Sequence, residues 1–381
     1  MKFGILTYTS LHCNFTNYGT VLQAWALQQT IKRLLLQSPD SFNDQVVLIN
    51  YCPTKMEGMD PLAPFDNMWD NDERLIEQAR KTLPAIKENL KKIEDFYINN
   101  FNITEKEYSC DNLNQIDTED RVTGFIVGSD SIWDIEEFGV DNGFFANYPV
   151  MKNKSIAYAP SFQDSIKHFK KEEWELAKRM IKENFRAVAL RDRHAAELIE
   201  LEEDVSYPVV VDPTLTLLAE DYNQIESTES FPRNPYLLYY SRRYNEDAER
   251  MVDKIAEERG LEVVEISLRA QNADRHSMRY DAGVEEFLTL VKHAGVVVTN
   301  SFHCMIFAIL YKRDFYVYSR QHCYGKIVEL LETLGLSNRF VTDCNNFSRQ
   351  ESIDYKETFK KLAELRKLST EYLRDALNGI R

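Results

Sequence analysis

The sequence has little of what marks a secreted, membrane-spanning or nucleic-acid-binding protein. Its six cysteines form no Cys-x-x-Cys pair, so they predict neither a disulfide framework nor a zinc finger, and free thiols are the simpler interpretation. No apolar run reaches the length that spans a bilayer, and the first strand turns polar too early for a signal peptide, so we expect a cytoplasmic protein without a transmembrane segment. Lysine and arginine number 46 against 61 acidic residues, and the formal charge of −15 argues against nucleic acid as a partner.

The common phosphate-binding and metal-binding signatures are absent as well. Neither G-x-G-x-x-G nor G-x-x-x-x-G-K-[ST] occurs, which disfavours a dinucleotide site and a P-loop. A His-Cys pair recurs at His303-Cys304 and His322-Cys323, but this spacing matches no common zinc site. We therefore expect no metal and no cofactor.

The sequence does contain enough apolar material for two hydrophobic cores. Hydrophobic residues make up 44% of the 381 positions, and a chain of this length exceeds what one core usually serves. Short β-branched runs alternate with longer helical patterns, which is typical of parallel sheets covered by helices and predicts the α/β class. We place an N-terminal α/β domain at 1–216 and a C-terminal one at 217–345, joined near Leu217–Pro235, where the chain is polar and has no clear period.

The predicted strands of the first domain are Phe3–Tyr8, Val46–Asn50, Phe125–Val127, Ser155–Ala159, Ala187–Leu190 and Val209–Val211. Those of the second are Tyr236–Tyr240, Glu262–Ile266, Val296–Thr299 and Phe315–Tyr318. Helices are predicted at Thr20–Leu36, Lys170–Glu183, Arg193–Leu201, Asn245–Arg259, Val284–His293, His303–Tyr311 and Tyr324–Leu334.

Two segments do not fit this alternation. Residues 53–120 are acidic and contain a long helical pattern around Glu73–Asn100, so we interpret them as an insertion that can form a flap over a cleft. Residues 346–381 are dominated by one amphipathic helix at 352–379, which we expect to pack across both domains.

Functional side chains are expected just after the strands, because ligands of open α/β sheets bind beyond the carboxyl ends of the strands. The turn Thr299-Asn300-Ser301-Phe302-His303 is the sharpest candidate, since it lies between a buried strand and an apolar helix. A helix N-terminus offers free N–H groups to an anion, and an imidazole there can exchange a proton near neutral pH. We predict a catalytic role for His303; the alternative is a residue that only hydrogen-bonds its own turn.

Cations that follow strands are candidates for binding an anionic ligand, because the protein as a whole is acidic. Arg191 ends a predicted strand and can hold a carboxylate or phosphate through two parallel hydrogen bonds. The alternative is a salt bridge with Asp192 or with a neighbouring helix. Arg242, Arg243 and Arg320 are weaker candidates for the same task.

Asp130 and Trp133 suit a hydroxyl-rich ligand, since a carboxylate accepts two hydroxyl hydrogen bonds and an indole covers the apolar face of a sugar. The alternative is an aspartate that caps a turn and a tryptophan in the core. Asn17-Tyr18-Gly19 precedes the first helix and can present backbone N–H groups to a ligand, although such a loop alone is weak evidence.

Six motifs in this order resemble the polysaccharide pyruvyl transferase family, from residue 3 to about residue 340. The motifs are Asn17-Tyr18-Gly19-Thr20-Val21-Leu22-Gln23-Ala24, Val127-Gly128-Ser129-Asp130-Ser131-Ile132-Trp133, Ser155-Ile156-Ala157-Tyr158-Ala159, Leu190-Arg191-Asp192, Val211-Asp212-Pro213-Thr214 and Thr299-Asn300-Ser301-Phe302-His303.

The resemblance implies two Rossmann-like α/β domains that face each other across a cleft, in a GT-B-like arrangement. It also implies phosphoenolpyruvate as donor and a sugar diol of a glycan or lipid-linked sugar as acceptor, with pyruvate moved onto a surface polysaccharide as a ketal and phosphate released. Carried over onto this sequence, the family's histidine falls on His303, as general acid or base, and its post-strand arginine on Arg191, as donor clamp. The donor side would further include Asn300, Ser301, Arg242 and Arg320, and the acceptor side Asn17, Gly19, Asp130 and Trp133.

The sequence departs from the family's pattern at one position of this turn. Better-characterised members resemble Arg-x-His there, whereas Ser301 stands two residues before His303. The donor phosphate would therefore rely on the helix N-terminus and on another cation, or the donor would not be phosphoenolpyruvate.

Two other functions remain open at this point. A GT-B glycosyltransferase that uses a nucleotide sugar would share the architecture and the cleft, and a non-catalytic glycan-binding protein could keep the fold without the chemistry. The sequence leaves the oligomeric state open, a homo-oligomer included.

Overall fold

The computed structural model of the protein describes residues 1–13, 17–37, 43–60, 62, 73, 77, 80–228, 232, 234–242, 245–318 and 324–381. These residues form two parallel six-stranded sheets, each with helices packed against it. The predicted α/β class with two parallel-sheet domains is confirmed.

The first sheet has the strand order β3-β2-β1-β4-β5-β6. Its strands are β1 Lys2–Leu6, β2 Gln45–Tyr51, β3 Ile103–Tyr108, β4 Gly124–Val127, β5 Ser155–Tyr158 and β6 Phe185–Ala189. The helices of this half are α1 Tyr18–Leu36, α2 Leu83–Asn100, α3 Ile116–Glu119, α4 Ile135–Phe138, α5 Lys171–Asn184 and α6 Arg193–Glu203.

The second sheet repeats that order, since its strands run β12-β11-β10-β7-β8-β9. They are β7 Tyr236–Tyr240, β8 Glu262–Ile266, β9 Ser277–Arg279, β10 Val296–Thr299, β11 Asp314–Tyr318 and β12 Phe340–Val341. The helices here are α7 Glu246–Arg259, α8 Val284–His293, α9 Phe302–Leu310 and α10 Tyr324–Leu334, and α11 Tyr355–Gly379 follows.

Local sequence explains why the central elements of the second sheet form. All four residues of β10 are buried, as expected for a β-branched strand in the middle of a parallel sheet. The α9 helix is buried over its whole length and begins where the Ser301 hydroxyl accepts a hydrogen bond from Cys304 N–H. The α7 helix is capped by Asn245 and ends at Gly260, whose φ of 62° is the left-handed conformation that glycine adopts readily.

The strand order creates a crevice in each sheet at the carboxyl ends of its central strands. Connections leave in opposite directions from β1 and β4 in the first sheet, and from β7 and β10 in the second. The loops after these strands carry Gly19, Asp130, Arg242 and Asn300. The fold therefore places the predicted site residues at two crevices that meet across the domains.

The structure corrects three sequence predictions about individual elements. Short strands β3, β9 and β12 were missed, and residues 209–211 make an isolated bridge between Leu190 and Val209 rather than a strand. Residues 83–108 are not an insertion, because α2 and β3 continue the β–α–β alternation and β3 forms the edge of the first sheet. Most of the remaining flap prediction, at 61–79, lies outside the described residues.

Helix α2 nevertheless crosses to the other domain. Asn89 Nδ2 donates to the Ala282 carbonyl, which also accepts a hydrogen bond of 2.6 Å from the Tyr18 hydroxyl. Lys92 Nζ lies 2.6 Å from Glu286 Oε1 at the start of α8. The two domains are thus joined by buried hydrogen bonds and an ion pair close to the first turn of α1.

The C-terminal helix α11 also touches both domains, as predicted. Near its start, the Tyr355 hydroxyl donates to the Arg313 carbonyl of the second domain. Further along, the Tyr372 hydroxyl donates to Ala157 O in β5 at 3.1 Å, and Ser369 Oγ accepts from Val211 N at 3.0 Å. The boundaries at 216 and 345 stay predictions.

Among the described residues, no helix is both long enough and apolar enough to cross a membrane.

Candidate active site

His303 lies in the first turn of α9, directly after β10, with only 7% of its surface exposed. Its ring faces the first domain on two sides. Nε2 lies 3.3 Å from Asp212 Oδ2, and Nδ1 packs against Gly19 at the start of α1. The predicted catalytic residue therefore lies where the two domains touch.

Gly19 is required by this contact rather than by its backbone conformation. A Cβ atom built on Gly19 would lie 2.1 Å from His303 Nδ1 and 2.6 Å from Cγ, far inside van der Waals distance. The neighbouring Asn17 caps α1, because its side-chain oxygen accepts from Gly19 N–H at 3.1 Å. The structure thus uses Asn17 to shape the loop and Gly19 to admit the imidazole.

Asp212 connects His303 to Arg191. Its Oδ2 atom accepts a 2.9 Å hydrogen bond from Arg191 Nη1 and is the atom that faces the imidazole. Its Oδ1 atom accepts from the backbone N–H and the hydroxyl of Thr214, at 3.0 and 2.6 Å. Asp130 lies on another side of the guanidinium, with Oδ1 3.6 Å from Nη2. Four charged or titratable side chains from distant parts of the chain therefore form one buried cluster.

The two carboxylates of this cluster are held in the charged form. Burial by itself would raise the pKa of Asp212, but the charges of His303 and Arg191 keep that pKa well below its ordinary value. Asp130 shows the same balance, since burial is outweighed by His303, Arg191 and Lys326 and its pKa is lowered. The cluster consequently offers fixed charges at neutral pH.

One edge of the Arg191 guanidinium has no hydrogen-bond acceptor among the described residues. Nε and Nη2 are both buried, and the 3.6 Å from Nη2 to Asp130 is too long for a hydrogen bond. These two N–H groups point in parallel and match two oxygens of a carboxylate or phosphate. His303 Nε2 likewise has no hydrogen-bond partner in the described part of the chain. The arrangement can therefore accept an anion beside an imidazole.

The other residues predicted on the donor side are placed differently. Asn300 ties the two central loops of the second sheet together, with Oδ1 accepting from Arg242 N at 2.8 Å and Nδ2 donating to Ser241 Oγ at 3.3 Å. Ser301 acts as the cap of α9, so its hydroxyl is already used. Arg242 is buried close to Tyr240 and Tyr8, which help to raise its pKa against the effect of burial. Arg243 and Arg320 lie outside the described residues.

Trp133 was wrongly predicted to line the acceptor side. Its side chain is fully buried, stacks on Phe145 with ring centroids 5.5 Å apart, and donates its Nε1–H to Phe144 O at 2.8 Å. It has neither a free face nor a free donor for a sugar. Asp130, three residues earlier, does reach the cluster, with a φ of 69° that turns its side chain away from the strand direction.

Sequence reasoning missed two members of the site. Asp212 belongs to a motif that resembles the family but was given no role, although an aspartate between an apolar run and Pro213 is a signal of a structured turn. Lys326, in the first turn of α10, lies 5.3 Å from the centroid of the Phe302 ring, and the Arg191 guanidinium lies 5.2 Å from the same ring. Inspecting the helix after β11, and not only the strand end, would have found the lysine.

Two adjacent cavities open beside the cluster, between α6 and α10. The larger, of about 260 Å³, is lined among others by Gln163, Arg193, His194, Tyr324, Lys326 and Glu329. The smaller, of about 80 Å³, reaches Arg191, Asp212 and Phe302. Glu329 lines both cavities, and its carboxylate accepts from Arg193 N–H at the start of α6, at 3.2 and 3.3 Å. The buried cluster is thus bordered by space that a small molecule can enter.

Comparisons with known structures show the fold. A protein of Listeria monocytogenes described as a UDP-N-acetylglucosamine 2-epimerase superposes with a TM-score of 0.50 at 11% identity, over 100% of this chain and 92% of that one. The glycosyltransferase SnogD of Streptomyces nogalater matches with a TM-score of 0.42 at 9% identity, over 97% and 95% of the two chains. The Listeria protein therefore shares the fold of two parallel-sheet domains.

Comparisons of sequence identify the family. No curated protein matches the chain. A family model described as polysaccharide pyruvyl transferase matches residues 75–322, which is more than half of the sequence and includes Asp130, Arg191, Asp212 and His303. The chain therefore belongs to the polysaccharide pyruvyl transferase family and is a transferase.

Proposed function

We propose that this transferase moves the pyruvate unit of phosphoenolpyruvate onto a pair of hydroxyls of a sugar, as a ketal, and releases phosphate. Family membership supports pyruvyl transfer and a sugar acceptor. The observation that carries the proposal is the unpaired Nε/Nη2 edge of Arg191, buried in one cluster with the His303 imidazole.

Phosphoenolpyruvate needs the two groups that the cluster offers. Its carboxylate matches the parallel N–H donors of Arg191, and charge-assisted hydrogen bonds of this kind are about twice as strong as neutral ones. Its methylene carbon must gain a proton, which His303 supplies as general acid. Both groups lie in a site from which water is largely excluded, so their electrostatic effect on the reacting atoms is strong.

The proposed reaction adds the two acceptor hydroxyls to the donor one after the other. His303 transfers a proton to the methylene carbon of the donor, which becomes a methyl group, and one acceptor hydroxyl adds to the neighbouring carbon and loses its proton. The bond from that carbon to the phosphate oxygen then breaks, and the second hydroxyl adds and loses its proton. One of the two released protons restores His303 and the other leaves on phosphate, so donor and diol yield ketal and hydrogen phosphate.

Lys326 and the N-terminus of α9 take the place of the arginine that better-characterised members have where this chain has Ser301. The N-terminus of α9 faces the cluster and attracts anions, but its cap is neutral. Lys326 contributes to the lowered pKa of Asp130, so its charge acts within the same site. We assign the donor phosphate to this helix terminus together with Lys326.

The test is incubation of the protein with phosphoenolpyruvate and a panel of glycans, with release of inorganic phosphate and an added pyruvate ketal measured by mass spectrometry. His303→Ala should abolish both signals, because no other imidazole is placed at the cluster among the described residues. His168→Ala is the matched control, since that ring is 60% exposed and pairs with the surface residue Glu136; it should behave as wild type.

Three results would contradict the proposal. Release of UDP or another nucleotide from a nucleotide sugar, without turnover of phosphoenolpyruvate, would assign the chain to glycosyl transfer. Binding of an oligosaccharide in calorimetry, with no binding of either donor, would leave a glycan-binding protein. Full activity of His303→Ala would remove the histidine from the reaction.

A further inference from the structure

Asp212 is the one carboxylate in the described chain that contacts both residues on which the proposed function rests. It is fully buried, and a single oxygen, Oδ2, lies 2.9 Å from Arg191 Nη1 and 3.3 Å from His303 Nε2. Arg191 and Asp212 extend from the first sheet, whereas His303 follows β10 of the second. The carboxylate thus links the two domains at their reacting groups.

The orientation of Asp212 is fixed from behind. Oδ1 accepts two hydrogen bonds from Thr214, one from the backbone and one from the hydroxyl, and Pro213 begins a short helical turn between them. The neighbouring Val211 is held as well, because its carbonyl accepts from the Tyr158 hydroxyl and its N–H donates to Ser369 Oγ, both at 3.0 Å. These contacts hold Oδ2 so that it points into the cluster.

This orientation decides which edge of Arg191 is left for a ligand. A guanidinium has two edges that can bind two oxygens, and the bond from Nη1 to Asp212 occupies one of them. The edge that remains is Nε with Nη2, whose N–H groups find no acceptor among the described residues. The Asp212 oxygen that binds Nη1, Oδ2, also lies 3.3 Å from His303 Nε2, so one carboxylate oxygen faces both the guanidinium and the imidazole.

We propose that Asp212 is the positioning residue that makes Arg191 and His303 act as one unit: it turns the free edge of the guanidinium toward the donor and holds the imidazole beside it. This inference rests on the proposed function. The contact between Asp212 Oδ2 and His303 Nε2 is 3.3 Å long and is not a hydrogen bond, so Nε2 stays available to the donor.

The test is a double-mutant cycle. Asp212→Asn keeps the shape of the side chain and removes its charge, so we expect kcat/KM for pyruvyl transfer to fall ~10- to 100-fold, as is typical when a partner that orients a reacting group is lost. In the Arg191→Lys background, which stays active but lacks the guanidinium edge, the same change should cost clearly less, because one of the two groups that Asp212 positions is gone. A purely structural role would give equal losses in both backgrounds and would refute the proposal.

A second readout does not depend on activity. In protein labelled with ¹⁵N histidine, Asp212→Asn should move the ring-nitrogen signals of His303, which are assigned by their absence in His303→Gln. Asp141→Asn is the matched control, since Asp141 is also a buried capping carboxylate, bonded to Tyr51 and Gly143 rather than to the site. Signals that stay in place in Asp212→Asn would overturn the proposal.

A further variant keeps the test decisive if Asp212→Asn does not fold. Thr214→Val preserves the Asp212 charge and removes the 2.6 Å hydroxyl contact, so it should give a smaller loss of the same rate and a smaller displacement of the same signals. Thr214→Val without effect on either would refute the proposal. If the wild type transfers no pyruvyl group, the proposed function fails, and the nitrogen signals alone decide whether Asp212 positions His303.

Discussion

Replacing Gly19 by alanine tests whether the two domains must meet at His303. The added Cβ would lie 2.1 Å from Nδ1, whereas ordinary van der Waals contact begins at 3.4 Å, so the ring or helix α1 has to move by about 1.3 Å. Helix α1 is buried along most of its length and α9 along all of it, so neither helix moves easily. The imidazole is the smaller group, and we expect it to rotate away from Asp212.

The expected effect of Gly19→Ala combines two opposing changes in stability with one change in reaction rate. Alanine in a helix is favoured over glycine by about 0.5–1 kcal/mol, whereas overpacking a tight contact costs about 1–3 kcal/mol. The net destabilisation should therefore stay at about 0–2.5 kcal/mol, and the protein should remain folded at 25 °C. Displacing a reacting group by about 1 Å, however, can cost on the order of 100-fold in rate, so kcat for phosphate release should fall by about that factor.

The assay combines phosphate release from phosphoenolpyruvate with thermal unfolding. Gly379→Ala is the matched control, because this glycine is the last residue of α11 and a Cβ there meets nothing within 4 Å. We expect unchanged turnover in the control, with a stability change of less than about 1 kcal/mol. Wild-type turnover in Gly19→Ala would show that the contact with His303 is incidental, and the reasoning would fail.

Three further predictions concern charged groups. Arg191→Lys keeps the charge but loses the two parallel donors, so the apparent KM for phosphoenolpyruvate should rise at least about tenfold with a smaller change in kcat; an unchanged KM would exclude Arg191 as the donor clamp. Burial, with a smaller contribution from Asp192, raises the pKa of Glu329 from its ordinary 4.5 to about 7, so this group contributes stability below pH 4.5 that is lost as the pH rises through 7. The Glu329 side chain is 26% exposed, so solvent screens part of this effect. In chemical denaturation we expect Glu329→Gln to be more stable than wild type by about 1–2 kcal/mol at pH 8 and equally stable at pH 4.5. No gain in stability at pH 8 would contradict the raised pKa of Glu329. Burial would lower the pKa of His276, but Glu265 and Asp253 outweigh burial and raise it. The contribution of His276 to stability is therefore complete below the unfolded pKa near 6.5 and is lost as the pH rises through the higher folded pKa. His276→Gln should cost about 2–3 kcal/mol at pH 5.5 and clearly less at pH 9, and an equal cost at both pH values would refute the ion pairing.

The departure at Ser301 has a structural explanation. The Ser301 hydroxyl caps α9, and Thr299 Oγ1 accepts from Ser301 N–H at 3.0 Å, so the turn is built from short polar groups that satisfy one another. An arginine there would leave the helix without this cap. In the proposed function the positive charge comes instead from Lys326 in α10, the helix that begins after β11.

The sequence by itself determined the parallel α/β fold and the central strands. β10 is a run of buried β-branched residues, and α9 is apolar on every face, so a strand followed by a fully buried helix was the only consistent interpretation. The place of His303 and Arg191 at the site could be predicted because ligands of open α/β sheets bind beyond the carboxyl ends of the strands, and both residues follow strands. Strands β9 and β12 have only three and two residues, which is too short for a period, and they were missed.

Only the tertiary structure decided which of the polar strand ends meet. Trp133 and Asp130 are three residues apart, yet one is in the core and the other reaches Arg191, because a left-handed turn separates their directions. The closeness of Gly19 to His303, and of Asp212 to both Arg191 and His303, depends on how the two domains pack against each other. Periodicity tells which face of a strand or helix is buried; it carries no information about which loop of another domain will cover that face.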